Sequence, residues 1–124
     1  VGLFSKRQIG NQYETLAKQY LQRQGLRFLD QNYLTKFGEI DLIFQQDETI
    51  VFVEVKYRKN DHFGSAAEMV TNAKMRKLIK TAQVWLSQQR TMNTIDYRFD
   101  VIAIHDSVAT STGYKMQYLK DKRC

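Results

Sequence analysis

Between residues 8 and 24, apolar side chains recur at Ile9, Tyr13, Leu16, Ala17, Tyr20 and Leu21. Steps of three and four place them on one stripe, which predicts an amphipathic helix. Ser5 is a candidate cap at its start and Gly25 a left-handed terminator at its end. Arg27 to Tyr33 then reads as a short extended segment. After it the rhythm changes to two. Residues 38–44 read GEIDLIF and residues 49–57 read TIVFVEVKY, both rich in β-branched and aromatic side chains, with the polar Gln45-Gln46-Asp47-Glu48 between them. This is the pattern of a hairpin. An even loop over those four residues sets Phe44 against Thr49, Leu42 against Val51 and Ile40 against Val53. One face then carries Ile40, Leu42, Val51, Val53 and Val55. The other carries Glu39, Asp41, Ile43, Ile50, Phe52, Glu54 and Lys56. A one-residue slip would mix the two sets, so burial should enforce the assignment of faces.

A second helix is predicted over residues 70–88, with Met75, Leu78, Ile79, Ala82, Trp85 and Leu86 on one face and Arg76, Lys77 and Lys80 on the other. YRFDVIAI at 97–104 is a strand, and Lys115 to Leu119 a last edge strand. This order predicts an α/β domain in which the second helix crosses over and lays the 97–104 strand parallel to an earlier one.

Composition narrows the reading. The chain has 124 residues, 43% hydrophobic and 26% charged, without proline and without a Gly/Ser-rich linker, so one domain over residues 1–124 is expected. The apolar fraction excludes intrinsic disorder. No apolar run approaches the roughly 20 residues of a membrane helix, so no membrane partner is expected. Val1 to Arg7 lacks the apolar core of a signal peptide, which makes the cytoplasm the expected compartment. Cys124 is the only cysteine, and His62 and His105 are the only histidines, which argues against a zinc site or thiol chemistry. With 19 Lys and Arg against 13 Asp and Glu, the net charge is +6, which favours an anionic partner, nucleic acid above all.

Against that basic background, acids concentrate between Glu39 and Glu54. On the charged face of the hairpin Asp41 lies diagonal to Glu54, and Glu54 and Lys56 point the same way. A cross-strand salt-bridge cluster is the plainer account, yet such a cluster has no need of Ile43, Ile50 and Phe52 around it. Carboxylates this close in a partly apolar setting are relieved by a shared proton or by a divalent cation, and hard oxygen ligands suit magnesium or manganese. Lys56 beside them could orient a water or offset charge on a phosphate.

An acid on one strand followed by Glu-x-Lys on the next resembles the PD-(D/E)xK signature of restriction-endonuclease-like nucleases. More closely, GEIDLIF, VFVEVKYR and RFDVIAI, preceded by NQYETLAKQYLQRQG, resemble the YraN-like family of small bacterial proteins, which is similar in turn to archaeal Holliday-junction resolvases. The resemblance covers roughly residues 8 to 105. It implies a restriction-endonuclease-like core, a mixed sheet flanked by helices. It also implies that Asp41 and Glu54 are metal ligands, the Val55 carbonyl a further ligand and Lys56 the catalytic lysine. Glu14 matches the helix glutamate that completes the resolvase site; its helical row with Gly10, Ala17 and Leu21 would let the helix approach the sheet. The signature's proline is replaced by Ile40.

Among the remaining residues, Glu39 shares Asp41's face as an accessory acid, and Tyr57, Arg58 and Lys74 are candidate nucleic-acid contacts. Asp100 is expected to be structural, paired with Arg98 or a loop amide, and His62 to be a loop residue. The function expected is metal-dependent hydrolysis of DNA, including branched or single-stranded DNA. The alternative is a non-catalytic nucleic-acid-binding module on the same fold. The oligomeric state, homodimer included, is left open.

Overall fold

The computed structural model describes residues 6–59, 70–89 and 96–121, and for residues 6–11 the backbone alone. Ser5, His62 and Cys124 lie outside the described residues. Two helices and five strands occur among those described: α1 (Lys6–Arg23), β1 (Arg27–Thr35), β2 (Gly38–Gln46), β3 (Thr49–Arg58), α2 (Asn72–Ser87), β4 (Asp96–Asp106) and β5 (Tyr114–Leu119). The strands form one mixed sheet in the order β1-β2-β3-β4-β5. All neighbours are antiparallel except β3 and β4, which run parallel because the connection through α2 carries the chain back across the sheet. The α/β architecture expected from the sequence is the one observed. None of the described helices is long and apolar enough to cross a membrane.

The helix ends follow from local chemistry. α1 stops where Gly25 turns to φ 92°; the Gly25 amide donates to the Gln22 carbonyl at 3.0 Å and the Leu26 amide to the Leu21 carbonyl at 3.1 Å. These two bonds satisfy carbonyls the helix would otherwise leave open, at a conformation that costs glycine little. α2 begins at Thr71, whose hydroxyl accepts from the Lys74 amide at 3.2 Å.

Each sheet face buries its own core. Beneath α1, Ala17 and Leu21 pack on Leu26, Leu42, Phe44, Val51, Val53, Ile102 and Ile104. Beneath α2, Leu78, Ala82 and Trp85 pack on Ile40, Ile43, Ile50, Phe52 and Phe99. β3 and β4 are buried on both faces, as central strands covered by two helix layers should be.

Two expectations are corrected. The hairpin loop is Asp47-Glu48 alone, with Asp47 at φ 53°, so Leu42 faces Val53 and Phe44 faces Val51. The register is offset by two residues from the expected one, because Gln45 and Gln46 continue the strand. An offset of two keeps every side chain on its face, so most of the face assignment survives. Glu39 and Ile40 are the exceptions, and Glu39 joins Glu14 of α1 instead of the face of Glu54 and Lys56. Ile40 packs under α2 while Leu42, two residues on, packs under α1. The alternation therefore slips between them, at Asp41. The partner strand shows an irregularity at the same level. Asn32 falls opposite Asp41, between the Tyr33–Ile40 and Gln31–Leu42 pairs, and its backbone is left-handed at φ 51°.

Candidate functional site

The slip opens a fork in the sheet. Pairing of β2 with β3 ends at Leu42 and Val53. Beyond that point the Asp41 side chain replaces the ladder: its Oδ2 accepts the Val55 amide at 2.8 Å. Because the N–H and C=O of one strand residue point to the same edge, the Val55 carbonyl also faces the fork.

Asp41 stands between two charged groups. With Glu14 of α1 and Glu39 it forms a trio whose carboxylate oxygens lie within 4.8 Å of one another. Glu14 is placed there by the burial of Ala17 and Leu21, which seats α1 closely on the sheet. It is oriented by the Asn32 amide, whose Nδ2 donates to Glu14 Oε2 at 3.1 Å. Next to Asp41 on β3 is Glu54, only 7% exposed, whose Oε2 is 3.3 Å from Lys56 Nζ. Glu54 is not one of the trio; it meets Asp41 directly.

The electrostatics reflect this crowding. Burial, then the charge of Glu54, pushes Asp41 up from 3.8 to about 8, although the Val55 amide works against the shift. The Asp41 carboxyl also hydrogen-bonds Glu54, which adds to the shift. Glu14 is also raised, first by burial and then, against the Asn32 bond, by the charges of Asp41 and Glu39. Burial opposes the Lys56 ammonium, but contact with the Lys74 amine and the charges of Glu54 and Asp41 raise it. Lys74 is lowered, first by its contact with Lys56 and then by burial.

Residues 13–104 match the family described as Uncharacterised protein family UPF0102. The chain belongs to this family, the YraN family. Among similar proteins, the UPF0102 protein VP0448 of Vibrio parahaemolyticus is 99% identical over 107 residues, which cover 86% of this chain and 88% of that protein. The UPF0102 protein VV0603 of Vibrio vulnificus is 64% identical over 109 residues, again 86% and 88%. The UPF0102 protein of Vibrio cholerae El Tor is 46% identical over 118 residues, 94% and 93%.

In this UPF0102 chain the matched stretch contains every residue of the fork. The structure brings together Glu14, Asp41, Glu54, the Val55 amide, Lys56 and Lys74, and adds Glu39 to the trio. Tyr57 packs against α1. Its ring stacks on Tyr13 with centroids 3.9 Å apart, and its hydroxyl donates to Asp106 Oδ2 at 2.8 Å while Tyr13 donates to Oδ1 at 3.2 Å. The Tyr57 hydroxyl is pushed well above its usual range, by burial first and then by its bonds to Tyr13 and Asp106. Asp100 is structural, as expected: it accepts from Arg98 Nε, from the Tyr118 hydroxyl and from the Asp121 amide. Sequence reasoning missed Asn32. The available signal was an asparagine inside a strand pattern, where it is disfavoured unless the backbone or a side-chain bond requires it.

Proposed function

We propose that the fork is the centre of a metal-dependent nuclease that hydrolyses phosphodiester bonds in DNA, with branched and single-stranded DNA as candidate substrates. One observation carries this reading: a half-buried carboxyl, Asp41, lies between Glu14 and Glu39 on one side and the Glu54–Lys56 pair on the other. A salt-bridge cluster would pair each acid with a base; here four carboxyls meet beside two lysines, Lys56 and Lys74. The donor set is all hard oxygen, which fits magnesium or manganese better than zinc. Asp41, Glu54, Glu14 and the Val55 carbonyl would hold the ion, with Glu39 as an accessory acid. Such an ion supplies positive charge that polarises a phosphate oxygen and lowers the pKa of a water.

The protein's own groups do the rest. Asp41, whose pKa is raised, would have to be deprotonated to serve as a ligand. Glu54 holds the Lys56 ammonium at 3.3 Å, and that ammonium would stabilise charge developing on a phosphate oxygen. Lys74 and Arg58 contact the phosphate backbone from the rim, and Tyr57 with Tyr13 borders the α1 side.

The test is a cleavage assay on linear, flapped and four-way DNA, with and without manganese. Cleavage that needs the ion and is lost in Asp41→Asn supports the reading. A parent protein that binds both DNA and manganese but cuts none of these substrates makes the fold a binding module instead.

A further inference from the structure

The charges on α2 run against what a helix prefers. Its sequence, NAKMRKLIKTAQVWLS, holds four cations and no acid; Lys74 sits in the first turn, and the last turn carries no cation. A cation near a helix N-terminus opposes the macrodipole, and like charges three or four apart repel without an acid to offset them. Lys74 also touches a second ammonium, Lys56. Such a row is unfavourable in the protein alone and becomes favourable against an extended polyanion.

Its geometry is that of a path leading away from the fork. Lys74, Lys77 and Lys80 follow one another at intervals of three, spanning about 9 Å along the axis at 1.5 Å per residue. The tip of the β1–β2 hairpin continues the row. That tip is fixed to the middle of α2: Thr35 Oγ1 and buried Thr81 Oγ1 are 3.3 Å apart, and Gly38 lies against Thr81 and Lys77. Phe37 at the tip collects two ammonium groups, with Lys36 Nζ 5.3 Å and Lys80 Nζ 5.7 Å from its ring centroid. The ring attracts both charges before any partner arrives. Three acids, Asp47, Glu48 and Asp96, are at the opposite end of the strands, where β2 turns into β3 and β4 begins; Glu39, next to the hairpin tip, turns its carboxylate to Glu14 and Asp41.

We infer that Lys74, Lys77, Lys80 and Lys36 form a track for the phosphate backbone of a nucleic acid strand running from the fork to the β1–β2 hairpin tip. With one phosphate per 3.4 Å of each strand, the α2 part of the track covers two to three phosphates. Only the starting point of the track rests on reading the fork as the cutting site; binding along it is measured without metal and without cleavage.

The experiment uses the full chain and a 30-base-pair DNA duplex in metal-free buffer, with affinity followed across a salt titration. Lys36, Lys77 and Lys80 are all exposed, so the triple change Lys36→Gln, Lys77→Gln, Lys80→Gln removes no side chain from the buried core. It is expected to lower the slope of log affinity against log salt by about 2 to 3, close to 0.9 for each phosphate no longer neutralised. The control Arg27→Gln, Lys115→Gln, Lys120→Gln removes the same charge from surfaces away from the row and is expected to change the slope by less than about 1. Equal slopes for parent and triple variant, or equal losses in both variants, overturn the track. If the slope falls as expected but the parent cuts no DNA with manganese, the track stands and the nuclease reading falls. If the parent cuts and the triple variant keeps the parent's slope, the reverse holds. A parent that binds no DNA at low salt removes both.

Discussion

Asn32 holds Glu14 from across the gap between β1 and α1, its Nδ2 donating to Glu14 Oε2 at 3.1 Å from a backbone at φ 51°. The bond and the backbone conformation can be separated by substitution. Glycine keeps the left-handed backbone and deletes the amide. Asn32→Gly is therefore expected to fold with little loss of stability yet to bind manganese about 10-fold more weakly, the usual cost of losing a group that orients a ligand. Calorimetric titration of manganese into both proteins checks this; equal affinities would show that Glu14 needs no such hold.

The proton on Asp41 makes stability depend on pH in a stated direction. Its pKa is raised from 3.8 to about 8, so between these values the native state holds a proton that the unfolded chain has released. Stability then falls as pH rises from about 4 to about 8 and levels off above, by on the order of a few kcal/mol. Asp41→Asn should flatten this part of the profile and be the more stable protein at pH 8. Denaturant melts at pH 5, 6.5 and 8 test it, and parallel profiles for the two proteins would contradict it. The affinity for manganese should rise over the same interval, because binding must displace the proton.

Asp41→Asn and Lys56→Ala should fail differently. The first is expected to weaken manganese binding and abolish cleavage together, while metal-free DNA binding holds or improves, since phosphate no longer meets that carboxylate. The second should spare manganese binding but slow the chemical step by about 100-fold or more. Single-turnover cleavage beside manganese titration separates the two; variants that both cut like the parent would place the activity elsewhere.

Asp100 is 1% exposed and accepts from Arg98, Tyr118 and Asp121. Asp100→Ala leaves the Arg98 guanidinium and the Tyr118 hydroxyl without their shared acceptor and is expected to cost about 3 kcal/mol or more in stability. Manganese affinity of the folded fraction should stay at the parent's value. Urea melts and titration on the same preparation measure both quantities.

Much of this arrangement is legible in side-chain periodicity. The stripe from Tyr13 to Leu21 locates α1 and puts Glu14 at the edge facing the sheet. The hairpin faces survive a register offset of two, because a strand repeats every two residues and only odd offsets exchange its faces. The offset itself has a simple origin: Gln45 and Gln46 are both polar, so nothing in their pattern marks where the strand ends. Ile40 escapes the periodic reading because alternation breaks at Asp41, and an apolar residue is equally at home in either core. The Tyr13–Tyr57–Asp106 contact joins residues up to 93 positions apart, and no local pattern encodes a meeting of that kind.

The slip at Asp41 and the left-handed Asn32 opposite it lead to a further consequence. With Asp41 omitted, Ile40, Leu42, Ile43 and Phe44 would alternate between the two cores without interruption; with Asn32 omitted as well, Tyr33 would still face Ile40 across the pair. For the purposes of the sheet, then, these two residues are surplus, a matched insertion of one in each strand. A chain shortened by both is expected to keep the scaffold, to be the more regular protein and to lose the ion site proposed at the fork.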